Sequence, residues 1–181
     1  MNLPFKLKKL SAAEYVTYSA IIALGIILDQ LTKWLSVEFL SKIDTLPIIK
    51  NVIHLTYVEN RGAAFGMFAD KRWVFMITST VMIVGLLAYL YLGLSENRLY
   101  AVSISMIISG GIGNMIDRIA LGYVVDFIDF RLINFAVFNG ADSFVCVGAG
   151  LLVLALVLDI VKEAKGKKAL SDNTEEDSDK G

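Results

Sequence analysis

The chain has one cysteine, Cys146, and one histidine, His54, among its 181 residues. A single thiol excludes a disulfide framework, and one residue of each type leaves no Cys/His ligand set for a metal. Charge is scarce too, at 19% of residues with a formal net charge of −1. The basic residues form no long stripe that could track phosphates, which argues against a nucleic-acid partner. Apolar residues, by contrast, make up 56% of the chain, and the mean hydropathy is +0.63. That balance lies well above an ordinary soluble domain and predicts a membrane protein.

Four apolar segments, at about 14–37, 73–94, 99–118 and 141–162, each approach the ~20 residues needed to cross ~30 Å of hydrocarbon as a helix. The first, "YVTYSAIIALGIIL", follows Lys6, Lys8 and Lys9 and has the outline of a secretory signal peptide. Its apolar run continues into "DQLTKWLSV" with no small-residue cleavage site, so an uncleaved spanning helix is expected. The three lysines of the amino-terminal arm, and Lys162, Lys165, Lys167 and Lys168 after the last span, predict that both termini are cytoplasmic. Lys71 and Arg72, on the outer side, run against that bias.

Two outer stretches remain, about 38–72 and 119–140. "IIKNVIHLTYVEN" has partial period-2 alternation and β-branched content, and "FRLINFAVF" is similar, so a small sheet is expected on the outer membrane surface. The expected fold is an all-α membrane protein of four transmembrane helices with a small extracytoplasmic sheet and loop. Residues 1–165 form its single domain; residues 166–181, "GKKALSDNTEEDSDKG", read as a disordered, charged cytoplasmic tail.

This topology sorts the polar residues by depth. Asp29, Gln30 and Lys33 lie near the outer end of span one, "GGIGNMIDR" closes span three, and "NGADSF" opens span four. Asp126 follows span three and Asp142 opens span four, so two carboxylates 16 positions apart in sequence can meet. Ionisable groups at membrane depth are costly and tend to mark function. Structural roles compete at several positions. Asp142 can serve the first turn of a helix with Asn139 as N-cap, Asp29 and Lys33 can neutralise each other at i,i+4, and the glycines of "GGIG" suit close helix packing. His54 reads as a strand residue, and Cys146 as a small core residue with no histidine near it in sequence to activate it.

Five stretches carry a specific resemblance: "DQLTK" at 29–33, "ENRGAAFG" at 59–66, "GGIGNMIDR" at 110–118, "GYVVDFIDF" at 122–130 and "FNGADS" at 138–143. In order and topological place they resemble the lipoprotein signal peptidases, the signal peptidase II family, over about residues 14–162. Gly140 stands where that pattern has a small apolar or variable residue. The resemblance implies a four-helix aspartic endopeptidase of the bacterial cytoplasmic (inner) membrane, with its site near the outer face. Such an enzyme removes the signal peptide from diacylglyceryl-modified prolipoproteins, cutting before the lipidated cysteine. It implies Asp126 and Asp142 as the catalytic pair and gives Asp129 no catalytic place. Asn60, Asn114, Arg118 and Asn139 would hold the substrate or the pair; Asp29 with Lys33 would support the site floor or contact the lipid-linked substrate. No cofactor and no metal are expected; the partners are the lipid-modified substrate and membrane lipid, and the chain is expected to be a monomer.

Residue chemistry is consistent with that implication. Peptide hydrolysis needs a base for water and an acid for the carbonyl oxygen and the leaving nitrogen, and two aspartates sharing one proton supply both. Asp142, at a helix N-terminus, is the expected ionised partner and Asp126 the protonated one. A transporter or lipid-binding module would place polar groups at several depths or at the midplane, whereas here they gather toward the outer ends. A Ser–Lys or Ser–His protease fails on supply, because His54 lies in an outer strand region and Lys33 is the one lysine within a span.

Overall fold

The structure is a computed structural model that describes residues 9–62, 72–94 and 97–178. Lys6, Lys8, Lys71 and Gly66, which entered the sequence reading, lie outside the described residues. The elements in chain order are α1 (Ala12–Phe39), β1 (Thr45–Ile49), β2 (Ile53–Asn60), α2 (Arg72–Tyr91), α3 (Arg98–Ala120), β3 (Val124–Phe130) and α4 (Gly140–Ser178). Four of these helices are long and apolar enough to span a membrane, over Ala12–Lys42, Trp73–Tyr91, Arg98–Ala120 and Gly140–Lys167.

Local chemistry sets the helix starts. Ser11 and Glu14 close a reciprocal capping box on α1, and the Asn97 side chain accepts from the Leu99 N–H at the start of α3, satisfying backbone donors that a helix start leaves open. Helix α4 continues to Ser178, where composition predicts disorder from residue 166. Lys, Glu, Ala and Leu are good helix formers, and a Lys167–Glu163 pair at 2.7 Å bridges one turn of this extension.

Helix α3 is central: half of its most apolar stretch is buried, against 6% for α2. Small residues let its neighbours approach. A Cβ on Gly25 of α1 would collide with Ser109, and one on Gly110 of α3 would collide with the Ala141 carbonyl at the start of α4. Between lipid-facing helices, such backbone proximity replaces the hydrophobic drive available in water. Asp29 meets Gly113 and Gly25 meets Ser109, so α1 and α3 run parallel. Gly110 meets Ala141 while Gly148 meets Ser103, so α4 runs antiparallel to α3. The start of α1 and the far end of α4 therefore share one side of the bundle, and the sheet sits at the other.

The sheet is antiparallel in the order β1-β2-β3. Its third strand is "VVDFIDF" itself rather than "FRLINFAVF"; the latter forms a short 3-10 turn at Arg131–Ile133 and rejoins the sheet only as a bridge between Phe138 and Ile128. A strand needs a partner edge, and β2 spends its edge on residues 124–130. Between Leu55 and Val58, β2 takes three steps against two on β3, a bulge that resets which residues face the bundle.

Candidate active site

Side chains alternate along a strand, so Asp126 and Asp129, three residues apart on β3, face opposite sides of the sheet. Asp129 turns away from the bundle to Arg131 Nε at 2.8 Å and Thr56 Oγ1 at 2.9 Å. Burial alone would raise its pKa, but those hydrogen bonds and the Arg131 charge hold the carboxyl below the usual carboxylate range. Asp126 turns inward and is 2% exposed. Asn60, a diagonal cross-strand neighbour on β2, donates from Nδ2 to Asp126 Oδ2 at 2.8 Å.

Asp142 arrives from the first turn of α4. Its backbone N–H donates to Asn139 Oδ1 at 2.9 Å, and the Asn139 N–H donates to Asp142 Oδ2 at 3.2 Å, a reciprocal cap. The structural role expected of Asp142 is therefore present, yet the same carboxylate also lines a cavity of about 390 Å³ with Asp126. Asn139 joins the two: its Nδ2 donates to Asp126 Oδ1 at 2.7 Å while its backbone holds Asp142. Asn114 Nδ2 donates to Asp142 Oδ1 at 2.7 Å. Asn60, Asn114, Arg118 and Ser143 add to the polar lining; Phe135, Val137 and Phe138 form an apolar wall. Arg118 lies over the Phe75 ring, 5.5 Å from its centroid, and its Nη1 donates to the Asn114 carbonyl at 3.4 Å.

Beneath the cavity lies a second polar layer. Lys33 is 3% exposed and its Nζ meets Asp29 Oδ2 at 2.9 Å, Asp117 Oδ2 at 3.1 Å and Asn114 Oδ1 at 2.9 Å. Three acceptors use all three ammonium protons. Asp29 and Lys33 thus bond to each other and to α3 beneath the cavity, and neither lines it.

Burial pushes the Asp126 carboxyl up to about 7; the nearby Asp142 charge adds to this, and the Asn60 and Asn139 hydrogen bonds oppose it. Two carboxyl groups in one poorly solvated cavity, one of them holding a proton near neutrality, are suited to general acid and base work.

A family profile described as Signal peptidase (SPase) II matches residues 21–158. The chain belongs to the signal peptidase II family. It is 53% identical over 132 residues to a lipoprotein signal peptidase of Caldanaerobacter subterraneus subsp. tengcongensis, covering 73% of this chain and 90% of the relative. It is 41% identical over 152 residues to one from Halalkalibacterium halodurans, covering 82% and 97% respectively. A solved bacterial membrane enzyme superimposes with a TM-score of 0.73 at 30% identity, covering 86% of this chain and 94% of that one.

In this member of the signal peptidase II family, all eight residues singled out in the sequence, Asp29, Lys33, Asn60, Asn114, Arg118, Asp126, Asn139 and Asp142, come together at one end of the bundle. One reading changes. Cys146 is exposed and lines the cavity instead of packing in the core, because an apolar residue on a spanning helix has two apolar environments to choose between. Sequence reasoning also passed over Asp117, which is 3% exposed and paired with Lys33. A signal was available, since Asp117 lies three residues after Asn114 and so shares its helix face.

Proposed function

We propose that this chain is a membrane-embedded aspartic endopeptidase that removes the signal peptide from diacylglyceryl-modified bacterial prolipoproteins, cutting before the lipidated cysteine. The observation that carries the reading is Asn139, which holds Asp126 through its side chain and Asp142 through its backbone within one apolar-walled cavity. At rest Asp142 is ionised and Asp126 carries the shared proton. Asp142 takes a proton from water as the oxygen attacks the scissile carbonyl, and Asp126 gives its proton to the carbonyl oxygen. The tetrahedral intermediate collapses as a proton passes to the leaving nitrogen, the C–N bond breaks, and the dyad regains its single proton. Asn60 and Asn139 keep the Asp126 carboxyl oriented, and Arg118 is placed to hold substrate carbonyl groups.

The cell membrane of a bacterium is the setting, with both termini cytoplasmic and the cavity near the outer face. There the acyl chains of the substrate stay in the outer leaflet and its signal helix stays in the bilayer. The enzyme works as a monomer on that lipid-modified substrate. The test is cleavage of a lipidated prolipoprotein by purified protein, wild type beside Asp126→Asn: the first should release the signal peptide and the second should not. Cleavage at equal rates would overturn the reading.

A further inference from the structure

The three acceptors of Lys33 do not end in isolated side chains. Asp29, whose Oδ2 pairs with Lys33, uses Oδ1 to accept from the backbone N–H of Ala141 at 2.7 Å. Asp117, whose Oδ2 pairs with Lys33, accepts through the same oxygen from the backbone N–H of Val125 at 3.0 Å. Ala141 immediately precedes Asp142, and Val125 immediately precedes Asp126. The third acceptor, Asn114, bonds Asp142 directly and takes an Asn139 N–H at 3.0 Å. Gln30 closes the layer, donating to Asp29 Oδ2 at 3.2 Å and Asp117 Oδ1 at 3.0 Å.

We infer that Lys33, Asp29 and Asp117 form a buried brace that sets the separation of the two catalytic aspartates, with Asp117 as a positioning residue for Asp126 and Asp29 as its counterpart for Asp142. The inference rests on the aspartic reading above. The two aspartates come from different elements, β3 and α4, and no direct bond links their backbones. The brace gives each a rigid tether at the residue before it, and a single ammonium joins the tethers. All three side chains are at most 4% exposed, so water cannot substitute for a lost member without a rearrangement. Lys33 also places a positive charge near the pair, and this charge works against the elevation of the Asp126 carboxyl.

The brace makes predictions that differ from those of a purely structural ion pair. Misplacing a reacting group by about 1 Å costs about a hundredfold in rate, so Asp117→Ala should lower kcat by about that factor and leave KM near the wild-type value. Asp117→Asn keeps an oxygen for the Val125 N–H and should recover most of the loss. Lys33→Met should lower kcat and move the pH–rate profile toward higher pH, because the charge that favours ionisation is gone. Purified variants in detergent are assayed on a lipidated prolipoprotein, with thermal unfolding followed in parallel. Wild-type kcat in Asp117→Ala, no recovery in Asp117→Asn, or an unshifted profile in Lys33→Met would each overturn the brace. If Asp117→Ala does not fold, an unmoved pH–rate profile in Lys33→Met overturns it equally, as does a strongly lowered kcat in a folded Asp117→Asn, and a Lys33→Met shift supports it. Full activity in Asp126→Asn would instead remove the aspartic reading, whereas an inactive Asp126→Asn beside a fully active Asp117→Ala removes the brace alone.

Discussion

Asp126 and Asp129 lie three residues apart on one strand and face opposite sides of the sheet, the first bonded to Asn60 and Asn139 and the second to Arg131 and Thr56. A pair of carboxylates that look equivalent in "VVDFIDF" is thereby divided into one in the cavity and one outside it. Asn preserves the shape of Asp but cannot exchange the proton. Asp126→Asn and Asp142→Asn should therefore each abolish turnover in a folded, membrane-inserted protein, and Asp129→Asn should retain substantial activity. Signal-peptide release from a lipidated prolipoprotein measures all three; full activity in either of the first two contradicts the proposed mechanism.

The same strand predicts two opposite pH dependences of stability. The Asp126 carboxyl is raised to about 7 in the fold, so its contribution is complete below its unfolded value near 4 and is lost as pH rises through about 7. Asp126→Asn should then unfold later than wild type at pH 8, by a free energy on the order of 1–3 kcal/mol, and the difference should narrow toward pH 4. Asp129 is held below its ordinary value, so its contribution is present above that value and disappears as pH falls through the lowered pKa. Asp129→Asn should cost stability at neutral pH and little in acid. Thermal unfolding in detergent from about pH 2 to pH 8 checks both signs.

Gly113 offers a steric route into the layer below the cavity. A Cβ there would lie 2.5 Å from Asp29 Oδ2 and 3.1 Å from its Cγ, and Asp29 is 1% exposed with both oxygens engaged. Gly113→Ala should lower both activity and Tm. Gly85 and Gly150 have nothing within 4 Å of a built Cβ, so their alanine variants should be active and, by helix propensity, stabilised by up to about 1 kcal/mol. Equal behaviour of the three variants would contradict the packing at Gly113.

Cys146 lines the cavity and is exposed, yet no step of the proposed mechanism uses a thiol. Cys146→Ala should cleave at a near-normal rate, and EDTA should leave activity intact. A bulky maleimide on wild-type Cys146 should raise KM by narrowing the apolar side of the cavity, and Cys146→Ala should resist that reagent. Loss of activity with EDTA and recovery with zinc would point to different chemistry.

The sequence by itself determined the four spans, because ~30 Å of hydrocarbon demands long apolar runs that periodicity cannot disguise. It also determined which polar residues could share a depth, since span direction alternates and Asp29, Asn114 and Asp142 each lie near the same end of a span. Tertiary structure alone decided how those residues bond. Composition cannot tell the lipid-facing side of a spanning helix from its packed side, as both are apolar, and Cys146 was misplaced for that reason. The strand after α3 was expected at "FRLINFAVF", but β2 had one edge to offer and pairing placed residues 124–130 there. The bulge between Leu55 and Val58, after which Asn60 stands diagonally across from Asp126, has no sequence signal of its own. Asp117 looked like one more charge beside Arg118; its part appears only when α1 brings Lys33 and β3 brings the Val125 N–H within bonding distance.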